Sequence, residues 1–544
     1  METIEDIGTK MASESLKYFI TNLLYTITLA IGSIIVARLL GPEKYGQYSI
    51  TLLVPSILIL FTAYGVPAGL LKYTSTYIIK NKRLVTRYVK AALLFTIITG
   101  ALMSIIEFVF ANQFSILINR PELASFIRIV AVVVIMQTIL NTLYSFLYGI
   151  GEAGLSGIIN FILAITKAPL MIILVMLGLG VLGALIGHII GYIVAVAIGL
   201  IHVFIFLMKK LDKYRVTYQK LNPENTTTNI NITYINMIKE MLKYGFPIYI
   251  SVLLFSASSQ YINMNLAWFV SNTEIGGYSV TINISTAITL FLAPMTAVLF
   301  PSFSMIETKN SDALPTAFRR AVRISATLVI PIAIYISVFG EQIMRIIYGS
   351  KYLFAGIYIT LYALAFVFQP LFAVMRGYFN GTGLTKETLK THLVYFLTAL
   401  VITPVLTSQL RVVGTIIAIL LAIAIATAYA AYRCIKSKLS LEGGYLAKLI
   451  IIIIIAGIIS SPIKILLQQK TIVDYIIVAG IGGVIYLTVL LTLMAITNIP
   501  SNEDINFIAK TLGQKPIIGT LLKIPIKYLK YIQKTIRKIL ELPR

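Results

Sequence analysis

The chain has 544 residues, 58% of them hydrophobic and only 12% charged, roughly half the charge of a soluble protein. One cysteine, Cys434, leaves no partner for an intramolecular disulfide and no cysteine-based metal site. The three histidines, His188, His202 and His392, show no short ligand spacing, which argues against zinc and gives no sign of a metal or cofactor.

Apolar stretches of about 20 residues or more recur from Leu16 to Thr497, each long enough to cross a bilayer as a helix. In lipid a helix satisfies its own backbone, so the fold class is all-α integral membrane, with about 14 spans. In chain order the spans are expected at 17–39, 47–71, 90–112, 123–148, 155–178, 181–208, 243–271, 276–304, 321–341, 355–380, 386–409, 412–434, 445–467 and 472–497. The N-terminal METIEDIGTKMASESLKYF is polar and acidic, without the basic flank of a signal peptide, so the first span is expected to remain as an anchor.

The formal charge of +24 raises nucleic acid as a partner, and its distribution argues against one. With a cytoplasmic N-terminus, the inner loops hold about 35 Lys and Arg and the outer loops about 8, the positive-inside bias. Lys80, Lys82, Arg83, Arg87 and Lys90 share one inner loop, and Lys209, Lys210, Lys213, Arg215 and Lys220 another. Both termini are therefore expected in the cytoplasm, with the basic surface against anionic membrane lipids.

The basic linker 209–242 divides the spans into two groups that resemble each other. SLKYFITNLLYTI at 15–27 matches MLKYGFPIYISVL at 241–253, and GQYSIT at 46–51 matches GGYSVT at 276–281. The stretch ending at Arg120 lies over the one ending at Gly349, Gly154-Leu155-Ser156 over Gly383-Leu384-Thr385, and VLGALIG at 181–187 over VVGTIIA at 412–418. All five fall near one offset. Both groups start on the same side with six spans, so they read as parallel repeats that form two lobes with a substrate site between them. The expected division is 1–208 for the first lobe, 209–242 for the linker, 243–440 for the second lobe, 441–497 for two added spans and 498–544 for a basic tail. In the tail, Leu529, Ile532, Ile536 and Ile539 share one helical face and Lys527, Lys530, Lys534, Arg537 and Lys538 another. That pattern suits a helix on the inner membrane surface, or one docked on the protein's own loops.

VARLLGPEKYGQYSI at 36–50 resembles the signature after the first helix of polysaccharide-type oligosaccharide flippases, in the superfamily that also holds the multidrug-extrusion antiporters. AYGVPAGLLKYTSTY at 63–77, FGEQIMRIIYGSKYLFAG at 339–356 and GYFNGTGLTKET at 377–388 are similar to further motifs of that family. The resemblance covers nearly the whole chain. It implies two six-helix bundles plus two helices, no enzymatic chemistry, a lipid-linked oligosaccharide as substrate, the cytoplasmic membrane as location and glycan-assembly enzymes as candidate partners. The same motifs have a structural reading. Gly41-Pro42 breaks a helix, and Gly46, Tyr48, Gly276, Gly277 and Tyr278 suit packing and the interfacial aromatic belt.

Charge within a span is costly and marks a partner or a watery cavity. Lys167, at the middle of the fifth span, is the most anomalous residue. Arg38, Lys72 and Arg376, near span ends, are further cavity candidates, with headgroup contact as the competing use. Glu107 and Arg128, on adjacent spans, are expected to pair with each other or to take part in ion coupling. His188, His202 and His392 are candidates for titration or for hydrogen-bonded packing. Gln260 and Asn263, with Ser258, Ser259 and Asn265 on the same span, and Gln137, Asn141 and Gln369 elsewhere, are placed to meet sugar hydroxyls or to bond between helices. Cations outnumber carboxylates inside the spans, which suits a polyprenyl phosphate or pyrophosphate head.

The leading expectation is a flippase that moves such a lipid-linked glycan by alternating access. A cation-coupled drug or metabolite antiporter is the first alternative, weakened by a first span without Asp or Glu. A polyprenyl-dependent glycosyltransferase is the second, weakened by short outer loops whose carboxylates are scattered.

Overall fold

The computed structural model describes residues 4–80, 82–207, 232–501, 527–529 and 531–533. These are helical throughout, with no strand among the described residues. Among the described residues, nine helical stretches are long and apolar enough to cross a membrane, or ten with the bent pair Tyr234–Ile250 and Val252–Phe269. Three of the nine, of 47, 53 and 52 residues, would each be about 70–80 Å long if straight, more than twice the ~30 Å hydrocarbon core. Each contains a left-handed residue: Gly41 (φ 75°), Gly178 (φ 89°) and Arg411 (φ 53°). Glycine takes that conformation at little cost. At Arg411 the chain has turned back on itself, since the hydroxyls of Thr407 and Thr415 lie 2.8 Å apart.

By internal contact the chain divides between Gly276 and Gly277. The first unit holds α1 (Ile4–Thr51), α2 (Leu53–Ile59), α3 (Val66–Lys80), α4 (Lys82–Val109), α5 (Ala111–Leu117), α6 (Ala124–Gly149), α7 (Ala153–Leu174), α8 (Gly180–Ile205) and α9 (Tyr234–Phe269). Its core gathers Val66, Leu70, Tyr88, Leu143, Phe146 and Met241. Helix α1 runs parallel to α7. Gly154 faces Glu14 and Lys17, Gly157 faces Tyr18 and Thr21, and Gly32 faces Ala168. Helix α8 runs antiparallel to α7, because Gly183, Gly187 and Gly191 meet Leu174, Met171 and Lys167 in descending order. A Cβ on Gly187 would sit 2.5 Å from the Met171 nitrogen. Without a hydrophobic force between helices in lipid, such small-residue stripes let backbones touch and gain dispersion contacts. Helix α9, in sequence the first span of the second repeat, packs along α3 and α4.

Helix α10 (Asn272–Lys309) leads into the second unit, followed by α11 (Leu314–Val338), α12 (Gly340–Tyr348), α13 (Gly356–Ala363), α14 (Gln369–Gly381), α15 (Thr385–Lys436), α16 (Gly443–Ser460) and α17 (Ile472–Ile496). One core cluster joins α11, α16 and α17 through Ile330, Ile453, Tyr486 and Leu490. Charged side chains tie loops and helix ends. Glu387 pairs with Arg433 at 2.8 Å and Lys390 at 3.0 Å, and Glu442 with Arg323 at 2.5 Å.

Residues 208–231 of the linker and most of the tail, Ile536 and Ile539 included, lie outside the described residues. In the described turn of the tail, Leu529 is buried among Leu449, Tyr486 and Met494, and the hydroxyls of Tyr528 and Thr492 are 3.1 Å apart. In this turn Leu529 and Ile532 pack on protein, as in the docked alternative.

Candidate functional site

The polar interior of the first unit is built on the α7–α8 seam. Gly191 leaves no side chain between the helices. A Cβ there would lie 2.6 Å from that of Lys167, so the lysine is seated directly against the α8 backbone. Its Nζ lies 5.9 Å from the centre of the Tyr192 ring, within cation–π reach. Tyr192 in turn packs 5.2 Å from the His188 ring, one helical turn away. His188 is buried, and its Nδ1 shares a 2.9 Å hydrogen bond with the Tyr48 hydroxyl. Tyr45 lies beside Tyr48 at 5.9 Å, and Met171 sulfur is 3.9 Å from the Tyr48 hydroxyl. On neighbouring helices the Tyr144 hydroxyl donates to Asn160 Oδ1 at 2.5 Å. One cation, an imidazole and several phenols are thus joined by successive contacts within the first unit. Among the described residues no carboxylate comes within ion-pair distance of Lys167. A half-buried ammonium without a fixed counter-charge is disposed to attract an anion.

The other candidates fall elsewhere. Arg38 is exposed on α1. Lys72 is exposed on α3, with its Nζ 4.0 Å above the Tyr244 ring and 5.4 Å from that of Tyr73. Arg376 is half-buried on α14 in the second unit, close enough for its charge to act on His392, whose ring packs 6.0 Å from Phe372. Gln260 and Asn263 are half-buried on α9, while Ser258 and Asn265 bond to carbonyls of their own helix at 2.9 Å. Gln137 and Gln369 are half-buried and Asn141 is exposed.

The expected Glu107–Arg128 pair does not form. Glu107 is fully buried and neither carboxylate oxygen has a hydrogen-bond partner. Arg128 is exposed on α6 and reaches the Phe108 carbonyl and Asn112 Oδ1, each at 3.3 Å. The two side chains leave their helices on different faces, which a spacing argument across two helices cannot resolve. His202 meets Glu152 at 3.4 Å. No group of three or more His, Cys, Asp or Glu among the described residues could hold a metal ion.

Tyr48 and Tyr192 join the Lys167–His188 cluster, although the sequence reading gave Tyr48 a packing role and left Tyr192 unremarked. The signal for Tyr192 was present, since it follows His188 by one helical turn. Tyr48 could not be found that way, because its contact with His188 spans 140 positions.

Outside the spans, a polar recess is lined by Glu43, Asn119, Arg120, Glu122 and Ser271 to Thr273. Burial draws the Arg120 guanidinium below its ordinary range, and Glu122 opposes that shift.

The sequence profile of the family described as "Polysaccharide biosynthesis protein" matches residues 9–307, and a MatE profile matches residues 247–405. A protein of Haloferax volcanii named "Probable low-salt glycan biosynthesis flippase Agl15" is 21% identical over 418 residues, 77% of this chain and 82% of that protein. Among solved structures, the lipid II flippase MurJ in an inward closed conformation aligns with a TM-score of 0.66 at 13% identity, covering 90% of this chain and 99% of that one. An inward-facing multidrug resistance MATE family transporter of the MOP superfamily aligns with a TM-score of 0.59 at 17% identity, covering 77% of this chain and 99% of that one.

Proposed function

Because the chain belongs to the polysaccharide biosynthesis protein family, we propose that it carries a lipid-linked oligosaccharide across the membrane, with Lys167 attracting the phosphate or pyrophosphate of the lipid carrier. The observation that carries this reading is the half-buried lysine, which has no carboxylate partner among the described residues and sits at the end of a chain of contacts through Tyr192, His188 and Tyr48. Phenols and amides on the same interior suit sugar hydroxyls. The glycan head crosses through the protein while the lipid tail stays in the bilayer, and no bond is made or broken.

Dividing the three long spans at Gly41, Gly178 and Arg411, and adding α9 and α10, brings the passes to about fourteen. Charge bias supports cytoplasmic termini and a cytoplasmic-membrane location, with anionic lipids against the inner loops. The flippase name of the Haloferax relative supports a glycan substrate and makes glycan-assembly enzymes the candidate partners.

The test is flipping by purified protein in liposomes that carry a lipid-pyrophosphate oligosaccharide, read by an external glycosidase. Protein-dependent exposure of the glycan is expected, and Lys167→Ala should lower it about ten- to a hundred-fold, the loss of one charge-assisted hydrogen bond. Equal rates for a well-inserted Lys167→Ala variant would remove the lysine from the site. The match to the MatE profile favours a second reading, cation-coupled extrusion. Organic-cation efflux from the same liposomes, with no glycan exposure, would establish that reading instead.

A further inference from the structure

Helix α9 is held to the first unit in two chemically different ways. Near its start the contact is dry backbone against backbone. A Cβ on Gly245 would lie 1.9 Å from the Gly65 oxygen, and one on Gly69 would lie 2.5 Å from the Met241 Cα. No side chain intervenes, and sliding there would break dispersion contacts without a substitute from water.

At the Phe269 end the contact is polar. Arg120 Nε donates to Asn272 Oδ1 at 2.9 Å, Nη1 to the Asn119 carbonyl at 2.7 Å, and Nη2 to the Val270 carbonyl. Trp268 Nε1 donates to the Leu117 carbonyl at 2.5 Å, and Asn272 Nδ2 to Glu122 at 3.3 Å. Trp268 is 48% exposed, beside the polar recess lined by Arg120, Glu122 and Asn272. Hydrogen bonds of this kind contribute little net, because water can replace them.

The two repeats differ at this end. Helix α1, the counterpart of α9, lies along α7, the fifth span of its own repeat. Helix α9 lies along α3 and α4 within the first unit. The second repeat also lacks a copy of the clasp, since Gly349 stands at the position matching Arg120.

We propose that Arg120 is a positioning residue for transport, the centre of a clasp that pins the Phe269 end of α9 to the first unit and must open and re-form in each cycle. The dry Gly65–Gly245 seam acts as the fixed end and the Arg120 clasp as the free one. This rests on the transporter reading for its purpose but not for its test.

Trp268 is the only tryptophan, so intrinsic fluorescence reports on the clasp without a label or a substrate. In a Cys434→Ala background, Asn119→Cys with Ser271→Cys, which line the same recess and leave the acceptors of Arg120 in place, would be bridged by a short, reducible bis-thiol reagent. Iodide quenching of Trp268 should fall at least two-fold on bridging and recover on reduction. Arg120→Ala should raise quenching at least two-fold, with Arg120→Lys, which keeps a donor, in between. Glycan flipping should stop when bridged and return on reduction. Quenching that is identical in bridged and reduced protein would show a clasp that never opens and overturn the inference, as would full transport while bridged. Quenching that responds as described, in a protein that exposes no glycan, would uphold the clasp and sink the flippase reading alone.

Discussion

The two repeats use one scaffold and fill it differently. In the first, Gly183, Gly187 and Gly191 form the stripe by which α8 meets α7. In the second, Gly414, Ala418 and Ala422 stand at the matching positions, all buried, and a Cβ on Gly414 would lie 1.9 Å from the Leu406 oxygen. Small residues at a spacing of four recur because both hairpins need close backbones in lipid. The interior side chains diverge. His188 corresponds to Ile419 and Lys167 to Phe396. Tyr48 has a counterpart in Tyr278, which packs edge-on at 6.4 Å against Tyr362 rather than bonding to a histidine. The scaffold is therefore a packing requirement common to both repeats, and the lysine and the tyrosine–histidine bond at these matched positions belong to the first.

That contrast can be broken at the scaffold first. Gly187→Leu should cost about 3 kcal/mol or more by overpacking, seen as loss of monodisperse protein in a thermal ramp on size-exclusion chromatography. Ala418→Gly, its counterpart, should cost only about 1 kcal/mol. An equal loss in both would mean the stripes are not equivalent.

The chemistry comes next. Lys167→Ala should reduce flipping about ten-fold or more without changing the melting temperature, whereas Phe396→Leu should leave flipping intact. A similar loss from Phe396→Leu would show that the second repeat shares the site. Tyr48→Phe removes the hydroxyl bonded to His188, about 1 kcal/mol, and should slow flipping several-fold. Tyr278→Phe should have no effect on the same assay. The smallest effect is expected at the second hairpin. Thr407→Val deletes the Thr407–Thr415 bond and should lower stability by about 1 kcal/mol or less, with transport unchanged.

Much of this protein was legible from hydropathy. A run of apolar residues longer than the bilayer is thick has one stable backbone solution, so the helices, their approximate limits and the repeat could be read without coordinates. Lys167 stood out for the same reason, since a charge in hydrocarbon is anomalous wherever it points. Partners were less legible. Glu107 and Arg128 lay at plausible heights on adjacent helices, yet their rotation about the helix axes separates them. The apolar face of the tail gave no sign of whether lipid or protein would cover it, because both offer the same apolar surroundings. In the described turn, Leu529 is covered by α16 and α17.

The sequence by itself determined that the chain is an all-helical membrane protein of two related halves, because solvation by lipid acts on each segment alone. Only the tertiary structure decided that Tyr48 reaches His188, that α9 lies with the first unit, and that Arg120 clasps its end. These depend on helix rotation and on contacts across 140 or more positions, which residue spacing does not encode.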